Sequence, residues 1–139
     1  NYRTLEQYKK QKRDLSKWIG KTLIEAGAFL NPKRILSATA QTDAASVHSR
    51  PCFLCQKNRP QEQEFLSYKN YQILVNPYPV FEHHFTIADK EHRPQSIAGY
   101  FDDMIEFTDI MREYFLMYNG PECGASAPDH AHFQAFTKE

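Results

Sequence analysis

The sequence predicts an α+β fold, an antiparallel β-sheet with helices before and after it, and three observations carry that expectation. Short β-type segments follow one another with turn residues between them, as at Lys69-Asn70. Two longer stretches with helical spacing of apolar residues flank these segments. The third observation is the end of the chain, where a loop of small residues runs into His130-Ala131-His132-Phe133-Gln134. On a strand, side chains two apart share a face, so both imidazoles and the amide would point one way while Ala131 and Phe133 point the other.

From the N-terminus, Thr4 is a helix cap candidate. Leu5, Tyr8, Leu15, Trp18, Ile19, Leu23 and Ala26 then recur at helical spacing until Asn31-Pro32 ends the run. A strand is expected over residues 33–39, followed by a polar link over 41–49 and the turn Arg50-Pro51-Cys52-Phe53-Leu54-Cys55. Residues 64–68 and 71–75 read as a hairpin, stopped by Asn76-Pro77-Tyr78-Pro79. Residues 84–88 read as a third strand before the charged loop 89–94. Ile97, Phe101, Met104, Ile105, Met111, Phe115 and Tyr118 predict a second amphipathic helix, ending at Asn119-Gly120.

The composition fits one globular domain: 139 residues, 41% hydrophobic, with ten Phe, eight Tyr and one Trp to fill a core. Disordered and collagen-like classes are excluded. Seventeen basic side chains balance seventeen acidic ones, so no net field draws the chain to nucleic acid or to a membrane. Lys9, Lys10, Lys12, Arg13 and Lys17 read as a solvated helix face. No apolar run has membrane-spanning length and no signal-peptide pattern opens the chain, so a cytoplasmic location is expected. The single domain divides into an N-terminal helix and link, residues 1–50, and a motif-bearing core, residues 51–139. Because the chain begins at Asn1 and stops at Glu139, soon after the histidine strand, it is expected to be a piece of something longer.

Cys52, Cys55 and Cys123 are odd in number, and two form a Cys-x-x-Cys pair in a chain expected to be cytosolic, which favours metal binding or redox chemistry over a disulfide framework. Cys123 reads as a small loop residue, His48 as exposed, His83 as a surface or edge residue, and His84 as a packing or hydrogen-bonding group.

Three motifs, in order, carry a family resemblance: Asn76-Pro77 after a strand, residues 84–92 as strand then loop, and the terminal loop with His130-x-His132-x-Gln134. The chain resembles the histidine triad (HIT) superfamily in its transferase branch, alongside galactose-1-phosphate uridylyltransferases, diadenosine tetraphosphate phosphorylases and GDP-hexose phosphorylases. The likeness covers about Cys52 to the end and implies a HIT-like half-barrel sheet with flanking helices. It also implies a mechanism: His132 attacks the α-phosphorus of a nucleotide-sugar or dinucleoside polyphosphate and forms a covalent nucleotidyl-histidine, which a phosphate or sugar phosphate then receives. Gln134 stands where hydrolase members carry a third histidine. An amide donates a hydrogen bond but shuttles no proton, which suits transfer over hydrolysis.

The resemblance further implies that Asn76 contacts the nucleotide. Asn119, Gly124 and Ser126 would serve the phosphates through the 120–129 loop. Its loop is one residue longer than that of the uridylyltransferases, and residues 88–90 read Ala-Asp-Lys where many relatives have an apolar-Pro-Lys run. Cys52, Cys55, His92 and His130 match the positions of a structural zinc site, with all four places filled by protein. A homodimer is a further implication. Two other readings stand beside the transferase or phosphorylase: a nucleotide hydrolase of the same fold, and a zinc-stabilised binding module without turnover.

Overall fold

The computed structural model describes residues 11–13, 26–28 and 42–137. Its centre is an open five-stranded sheet, antiparallel at every pairing, and the architecture is α+β. Near the N-terminus β1 (Gln11–Arg13) pairs with β2 (Ala26–Ala28) as a separate antiparallel ribbon. Helix α1 (Ala44–Ser49) precedes the cysteine turn, which continues into a 3-10 turn at Gln56–Asn58. The sheet is built from β3 (Phe65–Tyr68), β4 (Tyr71–Val75), β5 (His84–Asp89), β6 (Tyr114–Met117) and β7 (His132–Thr137), in the order β3-β4-β5-β7-β6. Helix α2 (Phe101–Ile110) lies between β5 and β6 in the chain.

The expected hairpin is present. Tyr68 pairs with Tyr71 across Lys69-Asn70, and Lys69 takes a positive φ of 46°, as the first central residue of a tight hairpin turn requires. The strands at 71–75 and 84–89 follow the expected segments closely, and the second now includes Asp89.

Three elements differ from expectation. The long N-terminal helix is not found at the two places described: Gln11–Arg13 and Ala26–Ala28 are extended and paired. Gly27 costs a helix interior about 1 kcal/mol relative to Ala, so helical spacing alone was a weak guide there. The rest of that segment and the strand expected over 33–39 lie outside the described residues. The polar link contains α1, whose first turn is capped by Asp43 accepting from the Ser46 N–H at 3.0 Å. Finally, the second helix stops at Ile110. Met111 leaves the helical region, and Tyr114–Met117 pairs with β7 as an edge strand. Aromatic and aliphatic residues at 114–117 suit a pleated strand as well as a helix, and the neighbouring β7 decides the outcome.

Alternation divides the sheet into two functional faces. One face carries Tyr71, Ile87, Phe133 and Ala135, which pack with Phe107 of α2 into a buried aromatic core. The Phe107 ring meets that of Tyr71 edge-on at 5.1 Å. The Tyr71 hydroxyl donates to Asp103 at 2.6 Å, and burial together with this bond raises its pKa. Tyr71→Phe should therefore keep the fold and lower stability by about 1–2 kcal/mol, read as a lower urea midpoint at unchanged m. The opposite face bears the rows Gln72-Ala88-His132, Leu74-Thr86-Gln134 and Asn76-His84-Phe136 across β4, β5 and β7. The cysteine turn packs on this second face, with Cys52 and Leu54 against Leu74, Ala88 and Ala127.

Candidate functional site

Two groupings occupy the second face of the sheet, and they share the segment 130–132. The first is a cluster of four potential metal ligands. The ligand atoms of Cys52, Cys55, His92 and His130 all lie within 4.8 Å of one another. His130 Nδ1 stands 3.3 Å from Cys52 Sγ and 3.7 Å from Cys55 Sγ, and His92 Nδ1 is 3.3 Å from Cys55 Sγ.

Each ligand has a local reason for its place. The Cys55 N–H donates to the Cys52 carbonyl at 3.3 Å, closing the turn that brings the two sulfurs together. His92 is set by the loop after β5. Buried Asp89 organises that loop by accepting from the Glu91 N–H at 2.9 Å and the Tyr100 hydroxyl at 3.3 Å. His130 is 1% exposed, and its Nε2–H donates to the Asp89 carbonyl at 2.8 Å. That bond fixes the tautomer and directs the Nδ1 lone pair at the sulfurs, the arrangement that orients a metal-binding imidazole. Burial raises the Cys52 thiol pKa and lowers that of His130. A cation bound at the sulfur would stabilise the thiolate and displace that proton.

The second grouping surrounds His132, which is 6% exposed. Its Nδ1–H donates to the His130 carbonyl at 2.8 Å, so the unprotonated nitrogen is Nε2. Burial lowers its pKa and favours the neutral ring. The expected strand begins at His132 rather than His130, yet His132 and Gln134 share a face as the alternation requires.

His84 proves to be more than packing. Its Nδ1 accepts from the Val80 N–H at 3.2 Å, so its Nε2–H is the donor to Gln134 Oε1 at 2.9 Å. Gln134 thus has its oxygen engaged, and its NH₂ group is the end available to an acceptor. The sequence reading of His84 as a packing or hydrogen-bonding group agrees with these bonds, but its partner Gln134, fifty positions away, was not legible.

The remaining expected residues are placed as follows. Asn76 lies opposite His84, with its Oδ1 accepting from the Tyr78 N–H at 2.9 Å and its Nδ2 donating to Thr86 Oγ1 at 3.3 Å. It is built into the turn after β4, with Nδ2 also 3.5 Å from His84 Nε2. In the 120–129 loop the Cys123 and Ala125 N–H groups turn inward to the Gly120 carbonyl. The Gly124 and Ser126 N–H groups make no hydrogen bond among the described residues. Gly124 has φ of 92°, a conformation that favours glycine. The Ser126 carbonyl accepts from Arg50 Nη2, which also pairs with Asp129 at 3.1 Å and ties the loop to the cysteine turn. Asn119 is held through its carbonyl, not its side chain.

One buried side chain at the site was missed altogether. Gln95, 4% exposed, bonds both the N–H and the carbonyl of His132. A side chain that reaches the backbone of a distant strand leaves no periodic trace in a sequence.

The fold and site together define an α+β domain in which four potential metal ligands abut a buried histidine of fixed tautomer. Residues 1–137 match the family described as a domain of unknown function, DUF4922, and the chain belongs to that family. No curated protein and no solved structure matches the chain. Among the described residues no helix is long and apolar enough to cross a membrane.

Proposed function

We propose that this domain is a HIT-like nucleotidyltransferase or phosphorylase that works through a covalent nucleotidyl-histidine on His132. The observation that carries this reading is the 2.8 Å bond from His132 Nδ1–H to the His130 carbonyl, which leaves the Nε2 lone pair as nucleophile in a desolvated ring. In the first step Nε2 attacks the α-phosphorus of a nucleotide-sugar or dinucleoside polyphosphate. The N–P bond forms, the P–O bond to the departing phosphate breaks, and the leaving group departs as a sugar phosphate or nucleotide. In the second step an oxygen of phosphate or of a sugar phosphate attacks the same phosphorus, and the N–P bond returns its electrons to Nε2. The positive charge on the ring of the intermediate is met by the His130 carbonyl accepting from Nδ1–H.

Gln134, oriented by His84, offers its NH₂ to a phosphoryl oxygen whose charge grows in each step. It has no proton to give to a leaving group or to take from water, which supports transfer over hydrolysis. Gln134→Glu keeps the shape but turns a donor into a repelling oxygen, so the labelling rate should fall about 100- to 1,000-fold, measured in single turnover.

Zinc fits the ligand cluster. With Zn–S of about 2.3 Å and Zn–N of about 2.0–2.1 Å, a tetrahedral site has S···N edges of roughly 3.6 Å. The two cysteine–His130 edges of 3.3 and 3.7 Å bracket that value. Cys52, Cys55, His92 and His130 would hold the ion, and with four protein ligands its contribution would be structural.

The activity is tested by following UDP-, GDP- and ADP-sugars and diadenosine tetraphosphate by ³¹P NMR with and without inorganic phosphate. Consumption that requires phosphate and yields a nucleoside diphosphate supports the proposal. Release of nucleoside monophosphate at the same rate without phosphate assigns the domain to the hydrolases instead.

A further inference from the structure

Gln95 occupies a place in the sheet that a strand would ordinarily fill. The register pairs Met117 of β6 with Gln134 of β7, so a continued ladder would set Asn119 opposite His132. Backbone groups of successive residues on a strand point to opposite neighbours. The Ala131 carbonyl faces β5, accepting from the Asp89 N–H at 3.0 Å, so the N–H and C=O of His132 point toward the β6 side. The Gln95 amide meets them there. Its Oε1 accepts from the His132 N–H at 2.8 Å, and its Nε2 donates to the His132 carbonyl at 3.0 Å and to the Asn119 carbonyl at 2.9 Å. The two amide hydrogens and the oxygen of the side chain are all engaged. One side chain therefore replaces a rung of the ladder.

The consequence is a set separation. In a continued ladder Asn119 and His132 would be a directly bonded pair, about 5.5 Å apart at Cα. Here an amide group stands between them, and the strand edge is held open where the 120–129 loop departs. The main-chain N–H of Gln95 donates to the Pro128 carbonyl at 3.0 Å, and the Ala131 N–H donates to the Arg93 carbonyl at 2.6 Å. Residues 93–95 thus brace the C-terminal end of the loop against the start of β7, and the Gln95 side chain holds the other end at Asn119.

We propose that Gln95 is a positioning residue, which sets the distance between the nucleophilic His132 and the 120–129 loop and thereby aligns Nε2 with the phosphorus. This rests on the reading of His132 as nucleophile. Gln95 touches no reacting atom. Its effect is exerted through the main chain of His132, and it should act on the rate of the covalent step far more than on nucleotide affinity. A misplacement of about 1 Å at a reacting centre lowers rates about 100-fold.

Two readouts on Gln95→Leu test this, one of them independent of activity. By NMR hydrogen exchange, the His132 amide should lose protection by about tenfold or more, while that of Phe133, paired with β5, keeps it. In single-turnover mass spectrometry with whichever UDP-, GDP- or ADP-sugar labels the wild-type chain, the saturating rate should fall about 100-fold. The half-saturating concentration and the metal content should stay near wild type. An unchanged saturating rate, or a fall in affinity alone, overturns the proposal, as does an unchanged exchange rate at His132. If Gln95→Leu does not fold, Gln95→Asn keeps the polar group one methylene short of its partners and should shift both readouts in the same direction. Failure of every probe to label wild-type protein would refute the nucleophile reading and the alignment role built on it. The exchange data would then still decide whether Gln95 is the missing rung.

Discussion

His132→Ala is expected to abolish nucleotidyl transfer, lowering the rate of phosphate-dependent turnover by at least about 10,000-fold, while the sheet remains intact. The size follows from the role. The two imidazoles beside His132 on this face are already engaged: His84 at both nitrogens, by Val80 and Gln134, and His130 by Asp89 and the sulfurs. Loss of a nucleophile that forms a covalent intermediate removes the whole two-step route, and effects of this size are typical of such replacements. The cost to the fold is small beside this. The variant loses one buried hydrogen bond, to the His130 carbonyl, worth about 1–3 kcal/mol. Main-chain bonds to Gln95 and β5 do not depend on the imidazole. Turnover and thermal melting measured on the same preparation separate the two effects, and retention of substantial turnover would remove His132 as nucleophile.

Cys52→Ser carries the second large effect, and it falls on stability. The four ligands come from three distant parts of the chain: the turn after α1, the loop after β5 and the residue pair before β7. An ion held by all four cross-links these segments, and structural zinc sites contribute apparent binding energies of about 10–16 kcal/mol in small zinc-binding peptides. Even a third of that is comparable with the whole stability of an ordinary domain, about 5–15 kcal/mol. The Cys52→Ser protein should contain less than about a tenth of the wild-type metal and melt about 10–20 °C lower. Chelation of the wild-type protein should do the same. Metal content by plasma emission and melting by circular dichroism check both statements. A wild-type protein that carries no metal when purified without chelator would contradict the account of this site.

The parts of the fold that were legible in the sequence are those specified by local chemistry. Lys69-Asn70 marks a turn, Asn76-Pro77 ends a strand, and His132 and Gln134 share a face because alternation in a strand leaves no other choice. The Cys-x-x-Cys pair shows a ligand pattern, and the family likeness supplied its histidine partners. Elements decided by distant neighbours were not legible. Residues 114–117 fit helical spacing as well as they fit a strand, and only β7 settles which they become. Asp43 is a good helix cap, but six residues of α1 are too few to raise a periodic signal. Gln95 and His84 act across the sheet through an amide and a ring nitrogen, contacts that no spacing rule encodes.

In the proposed mechanism His132 Nε2 takes up a nucleotide. Mass spectrometry of the intact protein after brief incubation with UDP-, GDP- and ADP-sugars and diadenosine tetraphosphate, without acceptor, tests it most directly. The expected result is a mass increase of one nucleoside monophosphate, mapped to His132, released by inorganic phosphate or a sugar phosphate and missing in His132→Ala. An adduct on another residue, or turnover of these substrates with no adduct at any time point, would contradict it.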